Sequence, residues 1–185
     1  KKIKNSKIIM KKKILILPTL LFLSILLVFL YLLSIERNPS DVPSQLINKK
    51  IPTFKTNYLL SDKKIVSTEI FKKEIILVNF FATWCKPCRD EHLYIKRFSN
   101  NESIKIVGIN YKDNSQKTVK WLKELGNPYS VVIEDRNGKI AIDWGVYGIP
   151  ETFIIDSNGI IKYRHVGPVN KKIYKKIISI VNNLK

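Results

Sequence analysis

Val78-Asn-Phe-Phe-Ala-Thr-Trp-Cys-Lys-Pro-Cys88 is the stretch on which the reading of this 185-residue chain turns. It carries the end of a continuous apolar run, Ile75–Phe81 (IILVNFF), of the kind found in strands buried on both faces. Cys85 and Cys88 are the only cysteines, which excludes a disulfide scaffold and a four-cysteine zinc site. A disulfide between them would close too short a loop to act as a staple. Redox chemistry or part of a metal site remains as the reason for the pair.

A helix is expected to begin around Pro87, since proline suits the first helical turn. The unpaired N–H groups there, with their partial positive charge, would stabilise a thiolate and make Cys85 the nucleophile. One turn brings Cys88 within bonding distance, so a mixed disulfide with a substrate can be resolved internally. Lys86 adds positive charge, and Trp84 supplies an apolar contact surface. Zinc would require two further ligands, and the only histidines are His92 and His165. His92 reads as an ordinary surface histidine. Arg89 stands where a haem-attachment motif requires histidine.

Working outward, strand-like and helix-like segments alternate. The active-site helix should carry an apolar stripe of Leu93, Ile95 and Phe98, followed by a buried strand at 104–109. Ser115–Leu125 reads as a helix with Trp121, Leu122 and Leu125 inward, stopped by Gly126-Asn-Pro128. Strands follow at 129–133, 152–155 and 160–165, the last two joined as a hairpin through Asp156-Ser-Asn-Gly159, and Asp135-Arg-Asn-Gly138 is a turn. A final helix sets Ile173, Ile177, Ile180 and Leu184 against a solvated face of Lys171, Lys172, Lys175 and Lys176. This order implies an α/β sandwich.

Residues 14–35 contain no charge over 22 positions, about 33 Å of helix, enough to cross a hydrocarbon core. Pro18 is expected near the start of that helix, where proline is tolerated best. The segment is longer than a signal peptide's apolar region and lacks a small-residue cleavage site. Seven lysines precede it and Glu36, Arg37 and Asp41 follow, which places residues 1–13 in the cytoplasm as a basic N-terminus and 14–35 as a transmembrane anchor. Met10, just before Lys11-Lys12-Lys13, is the expected start residue. Residues 36–50, with Pro39 and Pro43, read as a linker, and the exposed domain is expected over 51–185. The net charge of +18 is no nucleic-acid signature, because Lys outnumbers Arg 28 to 5 beside 29 Ile and 2 Ala, a bias that A/T-rich codons produce.

The central motif resembles the thioredoxin superfamily. Cys88-Arg-Asp-Glu-His92, Gly145-Val-Tyr-Gly-Ile-Pro-Glu-Thr-Phe153 and Tyr163-Arg-His-Val-Gly167 narrow the resemblance to the membrane-anchored CcmG/DsbE thiol:disulfide proteins of cytochrome c maturation. The resemblance implies a thioredoxin-like fold, a central mixed sheet flanked by helices, with residues 139–146 as a short inserted helix and Trp144 in the core. It makes Ile149–Pro150 a cis peptide that faces the cysteines and offers backbone to a substrate peptide. Thioredoxins carry a buried aspartate six residues before the first cysteine, where this chain has Asn79. Glu91 and Glu151 are the candidates for that missing carboxylate.

The implied activity is that of a periplasmic thiol:disulfide oxidoreductase at the inner membrane, reducing the haem-binding Cys-x-x-Cys-His of apocytochrome c directly or through another maturation protein. A DsbD/CcdA-type membrane reductant would recharge it, and no bound cofactor is expected. A reductase with another extracytoplasmic client, an oxidant, and a tethered apocytochrome-binding module are the alternatives. A thiol peroxidase is disfavoured, because Thr83 lies only two residues before Cys85.

Overall fold

A computed structural model describes residues 2–34, 45–61, 63–71 and 74–184. The chain divides into two units, Lys1–Pro39 and Ser40–Lys185. In the first, helix α1 runs from Lys2 to Ser34. Its segment Ile16–Ser34 has a mean hydropathy of 2.7, is exposed throughout, and is long and apolar enough to cross a membrane. Pro18 lies near the start of that apolar segment, as expected, but inside the longer helix, which extends back through the lysine-rich residues. Most of the expected linker, 36–44, lies outside the described residues.

The second unit begins earlier than expected at Ile51. Leu46 and Ile47 pack against its core, and residues 48–51 pair with the start of the last strand through Asn48 N to Ile161 O (2.8 Å) and Ile161 N to Lys49 O (3.0 Å). The chain then forms β1 (Lys55–Asn57), β2 (Lys64–Val66), α2 (Ser67–Ile70), β3 (Ile75–Phe81), α3 (Lys86–Phe98) and β4 (Ile104–Tyr111). It continues through α4 (Ser115–Leu125), β5 (Val131–Asp135), α5 (Lys139–Asp143), β6 (Glu151–Ile155), β7 (Ile161–Val166) and α6 (Lys171–Asn182). The main sheet has the order β5-β4-β3-β6-β7. β3, β4 and β5 are parallel, and β6 runs antiparallel to both of its neighbours, β3 and β7, so the sheet is mixed.

Every residue of β3 is buried, as its unbroken apolar run requires of a central strand. Its pleat divides the core in two. Ile75, Leu77 and Phe81 pack with α3, α4 and α6 through Phe98, Trp121 and Ile177, in the cluster that includes both cysteines. Ile76, Val78 and Phe80 face the other way, toward Phe71, Ile140, Trp144 and Phe153. Trp144 is fully buried there, edge-on to Phe80 and Phe153, which places it in the core.

Local chemistry sets the helix ends. Asn114 Oδ1 accepts from Lys117 N at α4's start, and Gly126, with φ of 86°, closes it. Asp135 accepts from Ile140 N and Ala141 N at the start of α5, and the four-residue turn Asp135–Gly138 is closed by Gly138 N to Asp135 O. The strand expected at 129–133 starts two residues later. The β1–β2 hairpin was not anticipated: its three-residue strands carry no periodic signal, and it is held by pairing to the β5 edge through Tyr58, Leu59 and Thr56.

Two expectations for α3 are corrected. Its buried positions are Cys88, Glu91, His92, Ile95 and Phe98, while Leu93, two residues from both Glu91 and Ile95, falls on the opposite side and is 56% exposed. His92 is buried rather than on the surface, its Nε2 2.8 Å from Gly126 O and its ring edge-on to Trp121. Burial pushes its pKa down, with Lys96 and Arg89 nearby acting in the same direction. The four α6 lysines are exposed.

Candidate active site

The junction of β3 and α3 holds the cysteines. Cys85 is the N-cap of α3, in extended backbone, and its sulfur accepts from Cys88 N at 3.2 Å. Pro87 occupies the first turn, where the missing N–H costs nothing. Cys85 and Cys88 form a disulfide, with Cα atoms 5.3 Å apart. Both residues are nearly covered, 4% and 2% exposed. Ile149–Pro150 is cis, and Ile149 O lies 3.7 Å from Cys85 Sγ, so the loop before β6 meets the first cysteine.

Trp84 is 59% exposed, its indole N–H donating to Lys112 O. Lys86 points to solvent and pairs with Asp90 at 3.3 Å, a surface ion pair of small energetic weight. Asp113 escaped the sequence reading. Its carboxylate accepts from Thr83 N at 2.6 Å and Thr83 Oγ1 at 2.9 Å, and so fixes the turn that delivers Cys85. Burial opposes its ionisation, but these bonds and those from Asn110 and Asn114 outweigh it and hold its pKa low. Its signal is only an aspartate after a strand, which many loops share.

The two carboxylate candidates separate onto opposite faces of the sheet. Glu91 lies on the cysteine side, 1% exposed, accepting from Asn79 Nδ2 and from Val169 N, each at 2.8 Å. Both partners are neutral N–H donors. Burial dominates and pushes its pKa up to about 8, the bonds from Val169 and Asn79 opposing it. Glu151 is directly opposite Phe80 on the neighbouring strand and shares Phe80's face, away from the cysteines. It is fully buried and bidentate with Arg164, at 2.7 and 3.0 Å. Arg164 also donates to Gly145 O at 2.8 Å, and Tyr147 N donates to Glu151, so the pair anchors the 145–150 loop. Burial raises the Glu151 pKa, with Arg164 opposing. The expectation of Glu151 beside the second cysteine is thereby corrected: alternation along β6 turns its side chain away.

A buried cysteine pair capping a helix, a backbone carbonyl beside the first sulfur and an acid on the same face suit thiol–disulfide exchange. Comparison with known proteins agrees. The redoxin family matches residues 46–178. The thiol:disulfide interchange protein DsbE of Escherichia coli is 41% identical over 173 residues, spanning 91% of this chain and 93% of that protein. The chain belongs to the DsbE family of thiol:disulfide interchange proteins.

Other DsbE proteins are as similar, that of Vibrio cholerae being 42% identical over 92% of this chain and 94% of its own length. Among solved structures, a thioredoxin-family thiol:disulfide interchange protein from Chlorobium tepidum superposes with a TM-score of 0.58 at 25% identity, covering 76% of this chain and 98% of its own. A secreted thiol-disulfide isomerase from Corynebacterium glutamicum superposes with a TM-score of 0.66 at 17% identity, over 80% and 95%. The fold is thioredoxin-like, and this DsbE-family chain is a thiol:disulfide oxidoreductase.

Proposed function

We propose that the chain is a membrane-tethered reductant whose α/β unit lies on the periplasmic side and reduces the Cys-x-x-Cys-His disulfide of apocytochrome c, directly or through another maturation protein. The reduced Cys85 thiolate attacks one substrate sulfur, forming a mixed disulfide and releasing the other sulfur as a thiolate that takes up a proton. The Cys88 thiol then passes its proton to Glu91, and its thiolate attacks Cys85 Sγ. This step forms the Cys85–Cys88 disulfide and frees the second substrate thiolate. Two electrons have moved to the substrate, and a DsbD/CcdA-type membrane carrier returns two to the chain. No bound cofactor takes part.

The observation that carries the reading is Glu91, buried one turn beyond Cys88 with no cation among its hydrogen-bond partners. Neither state of Glu91 stabilises a thiolate: neutral below about pH 8 it offers no positive charge, and ionised above it raises the cysteine pKa values and opposes the helix terminus. The reduced form is then not stabilised as a thiolate, which favours giving electrons away. Trp84 and the Ile149–Pro150 backbone flank Cys85 as the surfaces that receive an extended peptide.

The test is to mix the reduced full-length chain, in detergent micelles, with an oxidised Cys-x-x-Cys-His peptide and with a disulfide peptide of the same length lacking that spacing. Reduction of the first at least about tenfold faster is expected, the discrimination that roughly 1.4 kcal/mol of differential transition-state binding provides. Equal rates would replace the apocytochrome assignment with that of a general reductant.

A further inference from the structure

Glu91 does not stand alone on the cysteine face. Asn79 donates through Nδ2 to Glu91 Oε1 at 2.8 Å and to Thr152 Oγ1 at 3.3 Å, while its Oδ1 accepts from the Tyr129 hydroxyl at 2.8 Å. Tyr129 lies 50 residues along the chain from Asn79, in the segment that enters β5. Its ring is stacked on Phe81, 4.7 Å between centroids and 20° between planes. Gly108 on β4 makes room for this stack, since a Cβ there would sit 2.9 Å from both rings.

We propose that Tyr129 is a positioning residue for the reaction: its hydroxyl holds the Asn79 amide with the NH2 group turned toward Glu91, keeping that carboxyl ready to accept the proton of Cys88. The proposal rests on the reading of Glu91 as that proton acceptor.

The two orientations of the amide differ in what they leave unpaired. An amide turned as found gives Glu91 an N–H donor, which favours the ionised carboxylate. The reverse orientation sets Oδ1 against Glu91 Oε1, which requires Glu91 to be protonated and to donate. It also turns NH2 toward the Tyr129 hydroxyl, whose hydrogen then has no acceptor, because Asn79 Oδ1 is its partner among the described residues. Tyr129 is 7% exposed, so solvent does not readily replace that acceptor. Burial and the nearby Glu91 both push its pKa well above the usual phenol value, and it remains a donor.

The other groups facing this site do not substitute for Tyr129. α3 contributes Cys88, β3 and β6 contribute neutral Asn79 and Thr152, and the 167–170 loop contributes the Val169 N–H. β7 contributes His165, paired in register with Thr152 and bonded to Pro168 O; burial holds it toward the neutral form. α6 presents Ile177 and Val181.

The experiment uses the full-length chain in detergent micelles, labelled with 13C at the glutamate carboxyls. Oxidised protein is titrated by NMR so that the cysteines do not titrate, with the Glu91 signal assigned by its loss in Glu91→Gln. Tyr129→Phe keeps the stack and removes only the hydroxyl. The Glu91 midpoint is expected to rise by about one pH unit, as loss of one ordered donor to a buried carboxylate predicts. Asn79→Ala should raise it too, and Tyr129→Phe should add nothing in the Asn79→Ala background. An unchanged midpoint in Tyr129→Phe, or the full shift persisting without Asn79, overturns the proposal. In reduced protein, the pH profile of mixed-disulfide resolution should move with the midpoint. A midpoint that moves while the profile stays fixed upholds the amide geometry and overturns Glu91 as the acceptor for Cys88.

Discussion

Cys88→Ala is expected to turn the catalyst into a trap. Cys85, at the cap of α3, should still attack a substrate disulfide, but with Cys88 gone the mixed disulfide has no internal exit. Multiple turnover should fall by about a thousandfold or more, as when a residue required for a chemical step is removed. A covalent adduct should accumulate, and mass spectrometry of the digested adduct should place the bond on Cys85. Cys85→Ser, by contrast, should give neither adduct nor turnover. An adduct on Cys88 in that variant would reverse the assigned roles. Maturation supported by Cys85→Ser in cells would show that binding alone is the function.

Glu91→Gln should slow the resolution of that mixed disulfide by about a hundredfold or more at pH 8 and above, where Glu91 is ionised, the usual scale of a lost general base. It should also change how stability varies with pH. The Glu91 pKa is raised from 4.5 to about 8 in the folded protein, so the fold holds that proton more tightly than the unfolded chain does. Its favourable contribution is therefore complete below pH 4.5 and is lost as pH rises through about 8, a change on the order of 5 kcal/mol.

His92 and His165 have pKa values lowered by burial and act in the opposite sense, losing stability as pH falls. They are common to both proteins. The difference in melting temperature between Glu91→Gln and the parent should thus move in favour of the variant from pH 5 to pH 9. A constant difference over that range would mean that Glu91 is already ionised throughout.

What could be read from the sequence divides along the range of the interactions involved. β3 announced itself as an apolar run, α4 by its Gly126-Asn-Pro128 stop, and the cysteine motif by its two-residue spacing, all local signals. The cis Ile149–Pro150 was legible only through resemblance, since its neighbours in sequence do not dictate it. The β1–β2 hairpin was invisible because its stability comes from the distant β5 edge. Leu93 and His92 were misjudged for one reason: the inward face of α3 carries polar Glu91 and His92 because β3 and α4 offer them partners, and an apolar count cannot foresee partners. Glu151 was misplaced because the parity of its position along β6, which sets its side chain away from the cysteines, was not read. Tyr129 and Asp113 owe their roles to contacts 50 and 30 residues away, with no motif to mark them.

The reduction potential of the Cys85–Cys88 couple decides whether the chain gives electrons to its clients or takes them. The full-length chain would be equilibrated with glutathione and dithiothreitol buffers and its thiol state read by alkylation. In this fold about 150 mV, or roughly 7 kcal/mol, separates a reductant from an oxidant. A buried acid on the cysteine face, with neutral donors as its partners, predicts a value below the glutathione couple and toward that of thioredoxin, about −270 mV. A value near that of DsbA, about −120 mV, would contradict the account and make the same two cysteines an oxidant.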